Sequence, residues 1–492
     1  MIKKALLALL GVVLVLSAVI SVRAVRLPSL QGDPEAPVTI DVDADAAVAR
    51  FAGAIRIPTI SHERVEDTDT AAFLAFHQYL AESYPLVHQR LTRETVADLS
   101  LLYTWVGSEP GLEPAVLMGH QDVVPVIPGT EADWSHGPFS GDVADGAVWG
   151  RGSMDDKVSV VSILEAVEAL LAQGYQPRRT IYLAFGHDEE VGGVRGAAAI
   201  ARILGERGAE PYAFVLDEGG AIVRDMIPGV EGAVAIVGMA EKGYVNLQLR
   251  VDGAGGHSSA PPAQTNIGIL AEAISELEEH PFPARFEGAS QMMFDYLAPE
   301  MSFLPKAVFA NLWLFRPAVA WGMARTPQTA AMVRTTTAAT IISGGVKANV
   351  LPITATAVVN HRIMPGETKE TVLARVQEVI DDDRVQVTIH GDEGVDPSPV
   401  SDPTGPAFRM LARTIRQVVG GEEVVVAPFL VPGGTDAKYY SGRSTNVFRF
   451  IPAVLDAGAM ELAHGTDERM PVESYLNSIR FFQQLIRNAD AL

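Results

Sequence analysis

The sequence contains no cysteine, and this absence narrows the chemistry that the chain can perform. Disulfide bonds, thiolate metal ligands and a cysteine nucleophile are all excluded. Any metal ion would therefore have to be bound by histidine, aspartate and glutamate. This ligand set suits zinc, cobalt or manganese and does not select one of them.

Basic residues are scarce as well, and they form no stripe along the sequence. The chain has 38 lysines and arginines against 60 aspartates and glutamates, which gives a formal net charge of −22. Because so acidic a chain repels polyanions, nucleic acid is excluded as a partner. Internal repeats and long low-complexity tracts are also absent from the sequence. With 492 residues, of which 48% are hydrophobic, the chain is long enough for two or three globular domains.

A long hydrophobic run occurs at the N-terminus. Residues 5–22 are uncharged and mostly apolar, and Arg23 and Arg26 follow them. As a helix this run is about 27 Å long at ~1.5 Å per residue, just enough to span a bilayer. We interpret residues 1–26 as an uncleaved membrane anchor or a cleaved export signal, either of which places the remaining chain outside the cytoplasmic membrane. Residues 27–44 are predicted to be a linker.

The next part of the chain alternates helical and strand-like patterns. Within residues 45–243, Val160, Ile163 and Val167 belong to one apolar helix stripe, and the apolar run at 180–185 follows it. Helix followed by buried strand is typical of an α/β domain with a mostly parallel central sheet. We predict that residues 396–492 complete this larger domain.

The pattern changes between residues 244 and 395. Residues 245–251 and 385–389 alternate apolar and polar side chains, as half-exposed strands do. We therefore predict a smaller α+β domain inserted in the larger one. Within it, residues 283–335 are rich in Phe, Trp, Met and Pro and predict an apolar helical insertion.

Acidic and imidazole side chains directly follow three apolar runs. These segments are Gly-His-Gln-Asp at 119–122, His-Asp-Glu-Glu at 187–190 and Asp-Glu-Gly-Gly at 217–220. A fourth segment, Gly-Arg-Gly-Ser-Met-Asp-Asp-Lys at 150–157, places two carboxylates at a helix start. Ligands of α/β sheets bind beyond the carboxyl ends of the strands. So many acidic groups at one edge require a cation among them, and the sequence predicts a divalent metal site.

Together with three later segments, these motifs resemble a known family. The later segments are Gly-Gly-His-Ser-Ser-Ala-Pro-Pro at 255–262, Gly-Gly-Thr-Asp-Ala at 433–437 and His464-Gly465. Seven motifs in this order are similar to the co-catalytic zinc metallopeptidases of the aminoacylase-1 and carboxypeptidase S type. The Arg-Thr-Thr-Thr-Ala run at 334–338 is most similar to the carboxypeptidase S and N-fatty-acyl-amino-acid synthase/hydrolase branch. The resemblance implies a zinc-peptidase-like catalytic domain with an inserted lid domain of the dimerisation type.

The resemblance also implies two divalent metal ions per chain, most often zinc. His120 would bind one ion, and Asp155 would bridge both, because a carboxylate has two oxygens. Glu190 and His464 would complete one metal, and Glu218 would complete the other.

Two of these assignments leave alternatives open. Adjacent strand residues point to opposite faces, so either Glu218 or Asp217 reaches the site, and the family resemblance favours Glu218. Asp156 is either a site residue or a helix N-terminal charge. The family's bond between the two aspartates is cis, which predicts a cis peptide at Asp155–Asp156.

The resemblance implies further roles. Glu189 would be the general base, and Asp122 would orient the His120 imidazole and fix its tautomer. His257 would polarise the scissile carbonyl, often from the partner subunit of a dimer. The predicted substrate-binding residues are Asn349, Arg362, Gly434 and Thr435.

The sequence therefore predicts a membrane-anchored or exported amidohydrolase that cleaves peptides or N-acyl amino acids with a free carboxylate. The apolar insertion at 283–335 suggests a pocket for an apolar acyl group or side chain, and its length is equally explained by packing against the lid. The lid would form a homodimer if His257 acts across subunits. One alternative is a dipeptidase or a desuccinylase-type deacylase with the same metals. A second alternative, a catalytically silent binding protein, is disfavoured because Glu189 and every predicted ligand are present.

Overall fold

The structure is a computed structural model that describes residues 2–32, 35–391, 394–419, 424–455, 458 and 462–492. The helices, in chain order, are α1 (Ile2–Val25), α2 (Ala44–Ile55), α3 (Thr70–Ser83), α4 (Pro85–Arg90), α5 (Lys157–Ala172), α6 (Ala197–Glu206), α7 (Asn266–Glu279), α8 (Ala289–Leu297), α9 (Phe303–Phe309), α10 (Leu312–Met323), α11 (Pro327–Ala330), α12 (Lys369–Ile380), α13 (Pro406–Val418) and α14 (Val472–Ala489). The strands are β1 (Thr92–Val96), β2 (Ser100–Trp105), β3 (Ala115–His120), β4 (Asp142–Ala144), β5 (Ala147–Trp149), β6 (Ile181–Gly186), β7 (Phe214–Asp217), β8 (Ala221–Arg224), β9 (Ala233–Glu241), β10 (Gly243–Asp252), β11 (Gly256–His257), β12 (Thr336–Gly344), β13 (Val350–Leu351), β14 (Thr354–Ile363), β15 (Val385–Ile389), β16 (Val425–Val431), β17 (Val447–Arg449), β18 (Val454–Leu455) and β19 (Arg469–Pro471).

The large sheet has the order β1-β2-β6-β3-β7-β17-β9-β8-β18, with β16 paired to β9. Its centre is parallel, because β3 pairs in parallel with both β6 and β7. These strands are continuous apolar runs because helices cover the sheet and bury both faces. The predicted α/β fold with a mostly parallel central sheet is confirmed.

The register of the central strands aligns their carboxyl ends. His120, the last residue of β3, lies opposite Gly186, the last residue of β6. On the other side, Leu117 of β3 lies opposite Leu216, one residue before β7 ends. The polar segments that follow β3, β6 and β7 therefore leave the sheet at one edge.

A second, antiparallel sheet has the order β12-β14-β10-β15. Val245, Leu247, Leu249 and Val251 of β10 point into a separate apolar core with α7 and α12, while the residues between them are half-buried. The alternation predicted for residues 245–251 is confirmed, whereas in β15 Val385 is buried and Ile389 is exposed. Only Lys242 separates β10 from β9 of the large sheet. We call residues 244–395 the small domain; its exact boundaries stay a prediction.

Helices α8 to α11 form the apolar insertion. Phe286, Ala320 and Val333 are the centre of its own buried cluster. The helix α1 packs against α9 through Ala24, Ala307 and Ala310. By length and composition α1 is able to cross a membrane.

The segment predicted as a linker is held against the folded body at Gln31. Its side-chain nitrogen donates to the carbonyls of Tyr296 and Val426, each at 3.2 Å. Its side-chain oxygen accepts from Arg416 at 2.9 Å and from the Val426 N–H at 2.8 Å. The chain is therefore fixed to the large domain six residues after α1 ends.

Candidate metal centre and active site

His120 lies at the end of β3 and is almost fully buried. Its Nδ1 donates to the backbone carbonyl of Asp122 at 2.9 Å and lies 3.4 Å from the Asp122 carboxylate. A proton on Nδ1 leaves Nε2 of the neutral ring with a free lone pair. This arrangement matches the orienting role predicted for Asp122 and turns Nε2 toward the acidic groups.

The two oxygens of Asp155 face two different imidazoles. Oδ1 lies 2.9 Å from Nε2 of His120, and Oδ2 lies 3.1 Å from Nε2 of His464. A second carboxylate lies near each imidazole. Oε1 of Glu218 is 3.4 Å from Nε2 of His120, and Oε2 of Glu190 is 3.1 Å from Nε2 of His464. The structure thus brings all five predicted ligands into two groups that share Asp155.

The chemistry and spacing of these groups fit divalent metal ions. Ligands at 2.0–2.1 Å from a tetrahedral zinc ion lie roughly 3.3 Å apart, close to the nitrogen–oxygen distances given above. In addition, Oε1 of Glu190 is buried and has no hydrogen-bond partner among the described residues. His120, Asp155 and Glu190 form one set of converging ligand atoms, and His120, Asp156 and Glu218 form another.

Negative charge is concentrated in this cluster at high electrostatic cost. Burial, together with repulsion from Asp155, raises the pKa of Glu218 to about 8. Burial also raises the pKa of Glu189 well above its ordinary value. Hydrogen bonds to Asp155 and Glu190 raise the pKa of His464 to about 10. The cluster therefore favours binding of positive charge, whether protons or metal ions.

The structure distinguishes Glu218 from Asp217. Glu218 faces His120, whereas Oδ2 of Asp217 accepts the backbone N–H of Ala437 at 2.7 Å. The alternation of neighbouring residues at the end of β7 explains this difference. Asp217 supports the turn at 435–437 instead of joining the cluster.

Asp156 is buried behind the cluster. The Asp155–Asp156 peptide bond is cis, as the family resemblance implies. Oδ2 of Asp156 accepts the backbone N–H of His120 at 3.3 Å, and its side chain makes no cap bond to α5. Of the two alternatives for Asp156, this contact supports a position at the site.

Asp122 also fixes the segment that carries Glu189. Its carboxylate accepts the backbone N–H groups of Glu189 at 3.2 Å and Glu190 at 3.1 Å. The hydroxyl of Ser61 donates to the same carboxylate at 2.7 Å. One buried side chain therefore sets the orientation of His120 and the position of the predicted base relative to it.

Two charged residues that sequence reasoning missed hold the cluster together. Arg151 and Glu468 form a fully buried ion pair at 2.6 Å. Glu468 accepts the N–H groups of Met154 at 2.8 Å and Asp155 at 3.2 Å, and Arg151 donates to the His464 carbonyl at 3.1 Å. The sequence offered two signals that could have identified this pair: Arg151 lies within the 150–157 motif, and Glu468 lies four residues after His464.

Thr435 and Gly434 lie beside a second buried ion pair. The Thr435 hydroxyl donates to Glu241 at 2.6 Å, and Arg449 donates to the same oxygen at 2.5 Å. A Cβ at Gly434 would lie 3.9 Å from the Glu241 carboxylate. Glu241 and Arg449 were also missed, because each lies in an apolar strand pattern without a motif of its own.

The remaining predicted residues lie in the small domain. Strand β11 pairs with β13, which places His257 opposite Val350 and next to Asn349; both predicted residues are exposed. The His257 ring lies 2.8 Å from the Ser259 hydroxyl, and the guanidinium of Arg362 lies over the Tyr244 ring. Within the described part of this single chain, the hydrogen bonds of His257 and Asn349 stay in the small domain. Among the described residues, no hydrogen bond or ion pair joins His257, Asn349 or Arg362 to the proposed metal ligands.

Comparison with known proteins gives the same family as the motifs. The family model for peptidase family M20/M25/M40 matches residues 116–488. The chain is 42% identical to the N-fatty-acyl-amino acid synthase/hydrolase PM20D1 of Mus musculus, over 89% of this chain and 86% of that protein. It is 40% identical to the probable carboxypeptidase S-like 2 of Dictyostelium discoideum, over 90% of this chain and 84% of that protein.

A solved structure agrees with the fold. The M20 family metallo-carboxypeptidase Sso-CP2 from Sulfolobus solfataricus superposes with a TM-score of 0.64 at 17% identity, covering 91% of this chain and 99% of that one. The family match covers most of the chain, including every predicted metal ligand. The chain therefore belongs to peptidase family M20/M25/M40, and it is a hydrolase with a candidate metal centre at the carboxyl edge of its central sheet.

Proposed function

We propose that this chain is a two-zinc amidohydrolase that cleaves the amide bond of N-acyl amino acids or peptides with a free carboxylate. The observation that carries this proposal is the pair of histidine–carboxylate groups that share Asp155, with Glu189 beside them. Relatives named carboxypeptidase S-like and N-fatty-acyl-amino acid synthase/hydrolase support this substrate class.

The proposed ligands are His120 and Glu218 for one ion, His464 and Glu190 for the other, and Asp155 for both. Bound there, the two ions supply Lewis-acid polarisation of the scissile carbonyl and lower the pKa of the attacking water. His120 ends β3 and Glu218 directly follows β7. Hydrogen bonds to the backbone hold Glu190, Asp155 and His464 before substrate arrives.

Glu189 is the proposed general base. Its backbone is held by Asp122, and burial raises the pKa of its carboxyl group. A base with a raised pKa is suited to accept a proton from water and then deliver it to the leaving amine nitrogen. Loss of such a group typically lowers turnover by about 10²- to 10⁴-fold.

The free carboxylate of the substrate is proposed to bind near Gly434 and Thr435, with Arg362 supplying a guanidinium. Asn349 and His257 are proposed to contact the carbonyl oxygen. In the described part of this chain those three residues of the small domain make no hydrogen bond to the metal ligands. We propose that they reach the substrate by domain closure or from a partner subunit.

A homodimer through the small domain is part of this proposal. Strand β12 is an edge of its sheet, and Ile341 and Ile342 on it are exposed. An exposed apolar edge strand is a surface on which a second copy can pair.

We propose that α1 anchors the enzyme in the membrane, with the large and small domains on the outer side. The mean hydropathy of α1 is 2.9 over its most apolar window, and none of that window is buried in the protein. Two lysines precede the apolar segment and two arginines follow it, so the proposed orientation rests on the export interpretation and not on a charge difference between the two ends.

Turnover and metal content of matched variants test the proposed function. Glu189→Gln should keep two metal ions per chain and lose about 10²- to 10⁴-fold in kcat on an N-acyl amino acid. Its matched control, Glu190→Gln, should lose metal as well as turnover. Unchanged kcat in Glu189→Gln would reject the assigned base.

A substrate panel separates the proposal from its alternative. Long-chain N-acyl amino acids, acetylated amino acids and dipeptides should be compared under the same metal loading. We expect hydrolysis of N-acyl amino acids, whereas a preference for dipeptides with unblocked amino groups would favour a dipeptidase.

A further inference from the structure

We propose that the exposed face of α9 and α10 docks on the lipid bilayer that α1 crosses. We call this surface the insertion face; its members are Phe303, Leu304, Trp313, Leu314 and Trp321. The proposal rests on the membrane anchor proposed above, and it concerns a second contact between the folded domains and the same membrane.

The insertion face is more apolar than an ordinary water-facing surface. Leu304 is 77% exposed, Trp321 65% and Trp313 58%. Helix α10 has one charged residue, Arg316, and its guanidinium turns inward to bond Phe286 and Gln291. Large exposed apolar patches in a folded protein mark interaction surfaces.

Contacts with α1 place the insertion face at the level of the membrane boundary. Asn311, just before α10, donates to the carbonyl of Ile20 at 3.1 Å, and Arg23 donates to the carbonyl of Ala310 at 3.1 Å. Ile20 lies within the apolar run at 5–22, and Arg23 directly follows it. If this run crosses the bilayer, the corner between α9 and α10 lies where hydrocarbon meets headgroups.

The link between α1 and the large domain is too short to let the insertion face move far from the bilayer. Val25 ends α1, and Gln31 is held by four hydrogen bonds to the body of the protein. At ~3.3–3.6 Å per residue, the six steps from Val25 to Gln31 span at most about 22 Å even when fully extended. The packing of Ala24 on Ala307 and Ala310 shortens this reach further.

The side chains of the insertion face suit a lipid interface. Tryptophan is enriched where headgroups meet hydrocarbon, because its ring is large and apolar and carries one polar N–H. The guanidinium of Arg325 lies 4.7 Å from the Trp321 ring centre, next to the expected level of the phosphates. Because the chain carries a net charge of −22, attraction of the whole chain to anionic lipid is unfavourable, and the proposed docking relies on this apolar contact.

Quenching of tryptophan fluorescence by brominated lipid tests the proposal on the full chain. The chain has five tryptophans, and Trp105, Trp134 and Trp149 are buried within the protein. The protein is reconstituted in phosphatidylcholine vesicles whose acyl chains carry bromine near the headgroup end, and in matched vesicles without bromine. We expect brominated lipid to remove up to about two fifths of the emission, because two of the five tryptophans contact lipid.

Conservative variants assign the quenching to the insertion face. A Trp313→Phe/Trp321→Phe chain should lose the quenching, while the control Trp149→Phe should keep it. Equal emission in both kinds of vesicle overturns the proposal, and this is the result expected if a second protein copy covers the face. Quenching that persists in the double variant also overturns it, as does a chain that fails to float with the vesicles. Hydrolysis and metal content, measured in the same preparations, report separately on the proposed function.

Discussion

Replacing Glu468 with alanine should separate the two loops that carry Asp155 and His464. Glu468 pairs with Arg151 inside the protein, and Arg151 in turn holds the carbonyl of His464. Glu468 also accepts the N–H groups of Met154 and Asp155. The variant therefore removes a buried side chain that bonds the Asp155 segment directly and holds the Arg151 that contacts the His464 loop.

The structure allows the size of the effect to be worked out. Removing one partner of a buried ion pair costs about 3–5 kcal/mol, because the other charge is left without compensation. Burial raises the pKa of Glu468 to about 7, although Arg151 acts in the opposite direction. Measurements at pH 8 keep the carboxylate ionised, so the full effect of the pair should be observed there.

Urea unfolding and metal affinity together provide the assay. The ring of Trp134 lies 5.3 Å from the guanidinium carbon of Arg151, so tryptophan emission reports on the region of this pair. We expect Glu468→Ala to lower the free energy of unfolding by about 3–5 kcal/mol. Metal affinity should fall about 10- to 100-fold, as it does when residues that support metal ligands are removed.

Two further variants distinguish charge from packing. Glu468→Gln keeps an acceptor for Met154 and should cost about 1.5–3 kcal/mol, the range for hydrogen bonds to charged groups. In Arg151→Met/Glu468→Met no charge is left buried, so it should cost less than the sum of the two single changes. A loss below about 1 kcal/mol in Glu468→Ala, with unchanged metal affinity, would refute the reasoning.

Three other predictions follow from different parts of the structure. Mixing inactive His257→Ala and Glu189→Gln chains should restore part of the turnover, because one site of each mixed dimer then has both groups. Lys242→Met should flatten the pH dependence of thermal stability between pH 7 and 10. Burial and a neighbouring arginine lower the pKa of Lys242 to about 7, so in this window the unfolded chain binds more protons than the folded chain. Raising the pH therefore stabilises the folded wild type, and the methionine variant lacks this contribution. Gly193→Ala should lower the free energy of unfolding by about 1–3 kcal/mol, because φ is +72° and the new Cβ would collide with Asp436.

Each of these predictions has a result that contradicts it. Mixed chains that stay inactive would show that His257 does not act across subunits. Parallel stability curves for wild type and Lys242→Met would show that this lysine does not titrate in the stated window. Gly174 is the matched control for Gly193, because it has the same φ and open space around its Cβ position. An equal loss in Gly174→Ala would mean that backbone strain alone, without the collision, explains the effect.

Part of the metal cluster was predictable because three of its proposed ligands follow apolar strand runs, whereas the roles of Asp155 and His464 came from the family resemblance. His120, Glu190 and Glu218 come directly after apolar runs, and parallel strands bring such positions to one edge. Residue order along the chain could not decide between Asp217 and Glu218. The backbone N–H of Ala437 bonds Asp217, which favours Glu218 as the ligand, and that contact joins residues 220 positions apart.

The supporting ion pairs were not predictable from local pattern. Arg151 and Glu468 are 317 residues apart, and Glu241 and Arg449 are 208 apart. A charged residue in an apolar strand or beside a motif has no sequence signal that names its distant partner. The contact between the predicted linker and the folded body was not predictable for the same reason, since Gln31 bonds residues that lie beyond position 290 in the sequence.

The insertion shows a different limit of sequence patterns. Its apolar composition indicates buried or ligand-contacting surface, and the sequence left an acyl pocket and packing against the lid as equal explanations. In the structure Phe286 and Val333 fill the insertion's own core, while Trp313 and Trp321 face outward. Composition predicts how much apolar surface a segment has, but only the packing shows where that surface lies.

Titration of zinc into the metal-free full chain tests the central claim most directly. Metal would be removed by exhaustive chelation, and turnover of an N-acyl amino acid would be followed as zinc is returned. Shared coordination by Asp155 predicts negligible turnover before addition and a plateau at two ions per chain. Undiminished turnover by the chelated chain, or a plateau at one ion, would contradict the account.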